Sequence, residues 1–110
     1  MSNFSEKEIA YCASKIIQDF PDGISTENLM FYLRIKMMPN GNDTLLLKDR
    51  SDDLFSQKVR NLKSHNTLQN LNLSEYKNRK FYPVELNKFK EELINFKKIY
   101  PDIVKKFKNF

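Results

Sequence analysis

The sequence predicts a mainly helical α+β fold with one small β-hairpin. Apolar residues recur at three- and four-residue spacing in four separate segments, as they do on the buried face of an amphipathic helix. Between residues 71 and 84 the spacing changes to alternation, which is typical of short strands. At 110 residues the chain is long enough for one core and too short for two.

The first helix is predicted over residues 5–20. Ser5 and Glu8 have the spacing of a capping box, in which each side chain binds the other's backbone amide at the helix start. Apolar residues then follow on one face, which indicates a core helix. The turn Pro21-Asp22-Gly23 is expected to end it.

The second helix is predicted to begin after a cap at Ser25 or Thr26 and to end at Pro39-Asn40-Gly41. Ile24, just before it, is expected to pair briefly as a strand. A polar loop follows as far as Asp49. Its three leucines are predicted to anchor the loop to the core: Leu45, Leu46 and Leu47.

The third helix is predicted from about Asp52 to Ser64, with Ser51 as its N-cap. Its apolar face consists of Phe55, Val59 and Leu62. At about 100° per residue the opposite face presents polar residues. These residues are Gln57, Arg60, Asn61 and Ser64, with Lys58 and Lys63 on the flanks. Arg, Gln and Asn can bind base edges in two places, and Lys or Ser suits phosphate, but any exposed helix face is also polar.

Two short strands are predicted around a basic hairpin tip. The tip residues are Lys77, Asn78, Arg79 and Lys80. Asn78 can adopt the left-handed conformation that a tight turn needs. The neighbouring aromatic residues are expected to pack across the strands and not to stack on bases.

The C-terminal segment has an apolar seam at alternating three- and four-residue spacing. Its members are Leu86, Phe89, Leu93, Phe96, Tyr100, Ile103 and Phe107. The seam either packs against the first helix or forms a homodimer interface. Pro101 disfavours a helical residue before it, so the helix is predicted to kink there or to give way to a second short helix.

Charge is unevenly distributed along the chain. Residues 1–76 carry 9 basic and 10 acidic residues, for a net charge of −1, whereas residues 77–110 carry 10 and 4, for a net charge of +6. A one-sided positive charge favours a polyanion such as nucleic acid, although lysine-rich helix faces also serve solubility.

The segment DDLFSQKVRNLKSHNTL, together with the order of helices and hairpin, resembles the winged helix-turn-helix domains that accompany bacterial restriction endonucleases. The resemblance is strongest from Asp49 to Leu68 and is topological elsewhere. It implies that residues 1–84 are a winged-helix domain, with residues 85–110 as a C-terminal helical extension. It also implies that the third helix reads double-stranded DNA through Gln57, Lys58, Arg60, Asn61 and Ser64, while Lys77, Arg79 and Lys80 form the wing.

An enzyme is not expected. Asp53 with the triplet Glu75-Tyr76-Lys77 has the residue types of a metal-dependent nuclease, but such a site needs a central sheet that holds both acids together. His65 and Cys12 each stand alone, so the sequence predicts no metal site and no cofactor. The expectation is therefore a cytoplasmic DNA-binding protein with no membrane segment, a small bacterial or phage regulator or a restriction-system accessory. The alternative is a module or phage-encoded inhibitor that binds a protein partner.

Overall fold

The computed structural model describes residues 2–46 and 52–110, and these confirm a mainly helical α+β class with an antiparallel hairpin. The elements in chain order are α1 (Glu6–Ile17), α2 (Thr26–Met37), α3 (Leu54–Ser64), α4 (Thr67–Asn70), β1 (Ser74–Lys77), β2 (Lys80–Pro83), α5 (Leu86–Ile99) and α6 (Pro101–Lys106). A 3₁₀ turn at Gly41–Thr44 lies between α2 and α3.

Helix α1 is the central element of the fold. The predicted capping box is present: the Glu8 amide donates to the Ser5 hydroxyl at 3.1 Å, and the Ser5 amide donates to the Glu8 carboxylate at 3.0 Å. Eight of its twelve residues are buried, and they are spread around the whole helix circumference. Such a helix has neighbours on every side, and α1 packs against α2, α3, α4, β2 and α6.

Helices α2 and α3 are held together at the start of α3. The α3 N-cap is Asp53, whose carboxylate accepts from the Ser56 amide at 3.0 Å, so the helix begins at Leu54. The predicted cap, Ser51, lies outside the described residues. The same Asp53 carboxylate pairs with Arg34 of α2 at 2.5 Å, and the guanidinium also donates to the Ser56 hydroxyl at 2.7 Å. A single arginine therefore fixes the cap of α3 against α2.

The prediction that leucines anchor the loop after α2 was wrong for Leu45 and Leu46, which are exposed; Leu47 lies outside the described residues. The loop is anchored by Asp43 instead, whose side chain has no solvent exposure. Its carboxylate accepts from Lys58 at 2.5 Å and from the Phe4 amide at 2.9 Å. A buried charge needs such partners, and Asp43 thereby ties the N-terminus and α3 to the loop.

The hairpin is joined to the segment between α1 and α2. Ile24 forms an antiparallel bridge with Phe81, and the two backbone hydrogen bonds are 2.9 and 2.8 Å long. The predicted brief pairing of Ile24 is therefore confirmed. Within the hairpin Tyr76 lies opposite Phe81 with ring centroids 4.7 Å apart, so the aromatic packing is also as expected. The first strand begins at Ser74, later than the alternation suggested, because residues 71–73 form a turn after α4 in which Asn72 has φ 58°.

The C-terminal segment forms two helices that meet at Pro101, the second of the two predicted outcomes. Its seam packs within the chain. Phe89 and Phe96 are buried, and Phe96 stacks on Tyr11 of α1 at 5.2 Å between ring centroids. Phe107 contacts Phe4 at 6.0 Å. The remaining seam residues are half-buried against the same core, apart from the exposed Leu86: Leu93, Tyr100 and Ile103. The seam therefore packs largely within one chain, which is one of its two predicted arrangements.

Candidate nucleic-acid interface

Helix α3 turns its apolar residues inward and leaves a polar face outward. Phe55, Val59 and Leu62 are fully or almost fully buried. The outward residues are half-buried near the start of the helix and exposed near its end: Gln57, Arg60, Asn61, Lys63 and Ser64. The structure therefore brings together five of the six α3 residues that the sequence nominated.

Three of these outward side chains are held by neighbours. Arg60 forms an ion pair with Asp52, which precedes the α3 cap, and the Gln57 amide donates to Asn61 at 2.9 Å. The Arg60 side chain is 38% exposed and the Asp52 side chain is 21% exposed, so the pair is partly buried. The pair fixes the orientation of the arginine and leaves part of its side chain accessible to another acceptor.

Lys58, the sixth nominated residue, does not belong to the outward face. Its ammonium donates to Asp43 at 2.5 Å and to Asn3 at 3.0 Å, and its side chain is 15% exposed. Burial opposes ionisation of Asp43, but hydrogen bonds from Lys58, Ser2 and the Phe4 amide outweigh it and hold the pKa of Asp43 below its usual value. Lys58 has a structural role because a buried carboxylate requires a cation.

A shallow groove of about 300 Å³ lies between the start of α2 and the second half of α3. Its lining combines Thr26 and Glu27 with Arg60, Lys63 and Ser64. Thr26 and Glu27 were not among the sequence-predicted site residues. Thr26 and Glu27 line the groove because α2 packs beside α3, and the sequence pattern of α2 does not predict this packing.

The hairpin tip is a two-residue turn with both central residues in the left-handed region. Asn78 has φ 51°, as predicted, and Arg79 has φ 63°. Positive φ at both central positions is the geometry of a type I′ turn, which is favoured by Asn-Gly. All four tip residues are exposed, and Lys77 lies 3.9 Å from Glu75. Three cationic side chains therefore project from one tight turn.

The tip and α3 are connected through the hairpin strands. The Lys63 ammonium lies 5.6 Å from the centre of the Tyr76 ring, within cation–π distance, and Lys77 lies 5.1 Å from the Tyr82 ring. Gly23, in the turn before α2, lies directly under Tyr82, since a Cβ at this glycine would approach the ring to 2.8 Å. Of these contacts, the one between Lys63 and Tyr76 joins α3 to the hairpin, and the one between Gly23 and Tyr82 joins the hairpin to the turn before α2.

The positive charge of residues 77–110 is not concentrated at the tip. Only Lys77, Arg79 and Lys80 belong to it, and the other seven basic residues lie on α5, on α6 or just after α6. One of them, Lys106, pairs with Glu8 at 2.6 Å. The net positive charge that suggested a nucleic-acid partner is therefore divided between the hairpin tip and the C-terminal helices.

Comparison with known protein families, with curated proteins and with solved structures finds no match for this chain. Among residues 2–46 and 52–110, no helix is both long and apolar enough to cross a membrane. The same residues contain no cluster of three or more His, Cys, Asp or Glu side chains that could hold a metal ion. His65 is the C-cap of α3 and lies 3.0 Å from Glu6 of α1.

Proposed function

We propose that this chain is a winged helix-turn-helix DNA-binding protein, with α3 as the recognition helix and the hairpin as the wing. The bridge between Ile24 and Phe81 carries the proposal. It pairs the segment between α1 and α2 with the second hairpin strand, so that the helix pair and the wing form one rigid unit. In such a unit a helix can enter the major groove while the wing reaches the adjacent backbone.

The dimensions and side chains of α3 support this assignment. Its eleven residues span about 16 Å at 1.5 Å per residue, and its polar face can enter a major groove about 12 Å wide. Arg60 suits guanine, Gln57 and Asn61 suit adenine, and Lys63 and Ser64 suit phosphate. The groove beside Glu27 places one carboxylate near this face, which disfavours close phosphate contact at the start of α2.

Arg79 supports a functional wing. A left-handed conformation costs a non-glycine residue about 1–2 kcal/mol, and the turn would be more stable with glycine there. The chain nevertheless has an exposed arginine at this position. Local strain that stability does not explain is a mark of functional sites, and a guanidinium at a hairpin tip is well suited to phosphate or to the minor groove.

The proposed biological role is a small bacterial or phage transcriptional regulator, or a restriction-system accessory. One observation favours a second function, a module that binds a protein partner: the outer face of α2 is apolar and exposed. The aromatic residues of α5 cannot provide that surface because Phe89 and Phe96 are buried.

Fluorescence anisotropy on a mixed-sequence duplex across a salt series tests the proposal. Lys63, Lys77, Arg79 and Lys80 give about four phosphate contacts, so binding should weaken about 100-fold between 50 and 200 mM salt. Replacing Lys77 and Arg79 together by Ala should make the log–log slope shallower by about 1.8. Arg60→Ala should weaken binding to a preferred sequence by about 1–3 kcal/mol.

The control is a charge-matched variant with Lys90 and Lys97 of α5 replaced by Ala. It should leave the salt slope unchanged. An equal loss in this control would assign the binding to diffuse charge, and an absence of binding at 50 mM salt would refute the DNA proposal. Binding of a protein partner through apolar residues would instead be nearly independent of salt.

A further inference from the structure

A pocket of about 340 Å³ lies between the start of α2 and the second hairpin strand. It shares no lining residue with the groove between α2 and α3. Its volume is at the lower end of the range for small-ligand sites, about 300–1,000 Å³, so it suits a single small group. We call it the aromatic pocket, and the side chains that give it its chemistry are Phe20, Phe31, Tyr32, Ser25, Asn28 and Lys80.

Three aromatic rings line the pocket. The Tyr32 ring lies 5.4 Å from the Phe20 ring and 5.7 Å from the Phe31 ring, between centroids, at interplanar angles of 48° and 78°. These are the tilted and edge-to-face arrangements that aromatic pairs prefer, so Tyr32 is held between its two neighbours. Phe31 is 61% exposed. The pocket therefore offers free ring surface on which a planar group can stack.

Among the described residues that line the pocket, Lys80 is the one charged side chain. Gly23 makes room for it, because a Cβ at Gly23 would lie 3.1 Å from the Cδ atom of Lys80 as well as 2.8 Å from the Tyr82 ring. The bridge between Ile24 and Phe81 holds this part of the hairpin beside the start of α2. Since the lining contains no carboxylate, the lysine ammonium favours an anionic group in the pocket.

The polar groups of the pocket come from the start of α2. The Ser25 hydroxyl caps the helix by accepting from the Asn28 amide at 3.2 Å, and the Asn28 side chain is exposed. A carboxamide can donate and accept hydrogen bonds at once, as the edge of a nucleic-acid base requires. An apolar peptide in the same place would cover the rings but would leave Lys80 and Asn28 without partners. The chemistry of the pocket therefore favours a planar, hydrogen-bonding group that carries a negative charge nearby.

We propose that the aromatic pocket binds an unpaired nucleotide of single-stranded DNA, with the base on Phe31 and the phosphate on Lys80. Single-strand sites combine these two elements, an aromatic ring for the base and a cation for the backbone. A strand is favoured over a free nucleotide because Lys80 also belongs to the hairpin tip. Lys77 and Arg79 lie exposed in the same tip, where they can hold further phosphates of the same strand.

The identity of this ligand rests on the proposed DNA-binding function, but the pocket and the form of the DNA are new. The duplex contacts are assigned to α3 and the wing, whereas the pocket takes a nucleotide that has lost its pairing partner. The protein should therefore bind a duplex with a single-stranded overhang more tightly than the same duplex with blunt ends.

A fluorescent reporter tests the stacking directly. The chain contains no tryptophan, so Phe31→Trp introduces a single indole into the pocket. A base stacked on the indole quenches its emission, and we expect saturable quenching by an oligothymidylate of about twelve nucleotides at low salt. The matched control is Ile35→Trp, one turn further along α2, where the wild-type side chain is 56% exposed but does not line the pocket. Its emission should not change.

Anisotropy of the labelled oligonucleotide measures the affinity. Phe31→Ala should weaken binding by about 5- to 150-fold, the range for the loss of one stacked base, and Ile35→Ala should leave the affinity unchanged. Lys80→Ala should also weaken binding and should make the log–log salt slope shallower by about 0.7, the value for one phosphate of a single strand. An unchanged circular dichroism spectrum shows that each variant is folded.

Three results would overturn the proposal. Binding of the oligonucleotide without quenching of Phe31→Trp would place the strand elsewhere on the protein. Equal affinity for thymidine monophosphate would assign the pocket to a free nucleotide. Emission from Phe31→Trp that depends on protein concentration in the absence of DNA would show that a protein covers the pocket.

A blunt duplex, measured in parallel, separates this proposal from the proposed function. Binding of the duplex without binding of the oligonucleotide would refute the pocket and support the roles of α3 and the wing. Quenching by the oligonucleotide without binding of the duplex would support the pocket and refute the duplex-reading function.

Discussion

Replacement of Arg79 by glycine should stabilise the fold and weaken DNA binding at the same time. Arg79 has φ 63°, where a non-glycine residue costs about 1–2 kcal/mol. Glycine removes that cost but gains backbone freedom in the unfolded chain worth about 0.5–1 kcal/mol. The net expectation is a free energy of unfolding higher by about 0.5–1 kcal/mol, and a Tm higher by about 3–5 °C for a chain of this size.

The binding side of the same substitution follows from the lost charge. One phosphate contact fewer should make the slope of log K against log salt shallower by about 0.9. Chemical denaturation measures the stability, and anisotropy measures the slope. Two control variants separate the effect on stability from the effect on binding. Arg79→Lys should keep both the wild-type salt slope and the wild-type stability, whereas Arg79→Ala should lose the phosphate contact without gaining stability.

Two results would refute this reasoning. A glycine variant less stable than the wild type would mean that the Arg79 side chain contributes more to folding than its backbone costs. A glycine variant with the wild-type salt slope would mean that the guanidinium does not touch phosphate, and the strain at the tip would lose its functional explanation.

Three further predictions concern the fold. Gly23→Ala should lower the free energy of unfolding by about 2 kcal/mol, because φ is 92° and the new Cβ would lie 2.8 Å from the Tyr82 ring; an unchanged Tm contradicts that packing. Asp43→Asn should cost about 3 kcal/mol at pH 7 by leaving Lys58 without its carboxylate. The pKa of Asp43 is lower in the folded than in the unfolded chain, so the stability that its carboxylate contributes is present above about pH 4 and is lost as the pH falls through the folded-state pKa. Urea denaturation at a series of pH values should therefore show that the free energy of unfolding falls less steeply towards acid pH in the variant than in the wild type. Burial raises the pKa of the Cys12 thiol to about 12, so a disulfide reagent at pH 8 should label it only as fast as the protein opens, and rapid labelling would contradict its burial.

Local signals predicted most of the helices well. The capping box of α1, the cap at Ser25 and the break at Pro101 each depend on residues a few positions apart, and each is present. The left-handed Asn78 was foreseen for the same reason, because asparagine tolerates that conformation. The outward-facing residues of α3 were predicted from helical periodicity alone.

The failures depend on partners distant in sequence. Helical periodicity placed Lys58 at the edge of the outward face of α3, but its ammonium pairs with Asp43, which lies 15 residues earlier in the sequence. Leu45 and Leu46 looked like anchors because they are apolar, yet the buried aspartate performs that task. The seam on α5 has the same periodicity whether it meets α1 or another chain, so spacing could not distinguish the two neighbours.

The burial of α1 on all sides has a consequence for how the chain acquires its structure. Tyr11 gains its stacking partner only when Phe96 arrives, and Phe4 lies against Phe107. Helix α1 therefore keeps an exposed apolar side until a residue about 85 positions later has left the ribosome. A chain cut at residue 84 would retain α3 and the wing but expose that side of α1, and we expect it to aggregate.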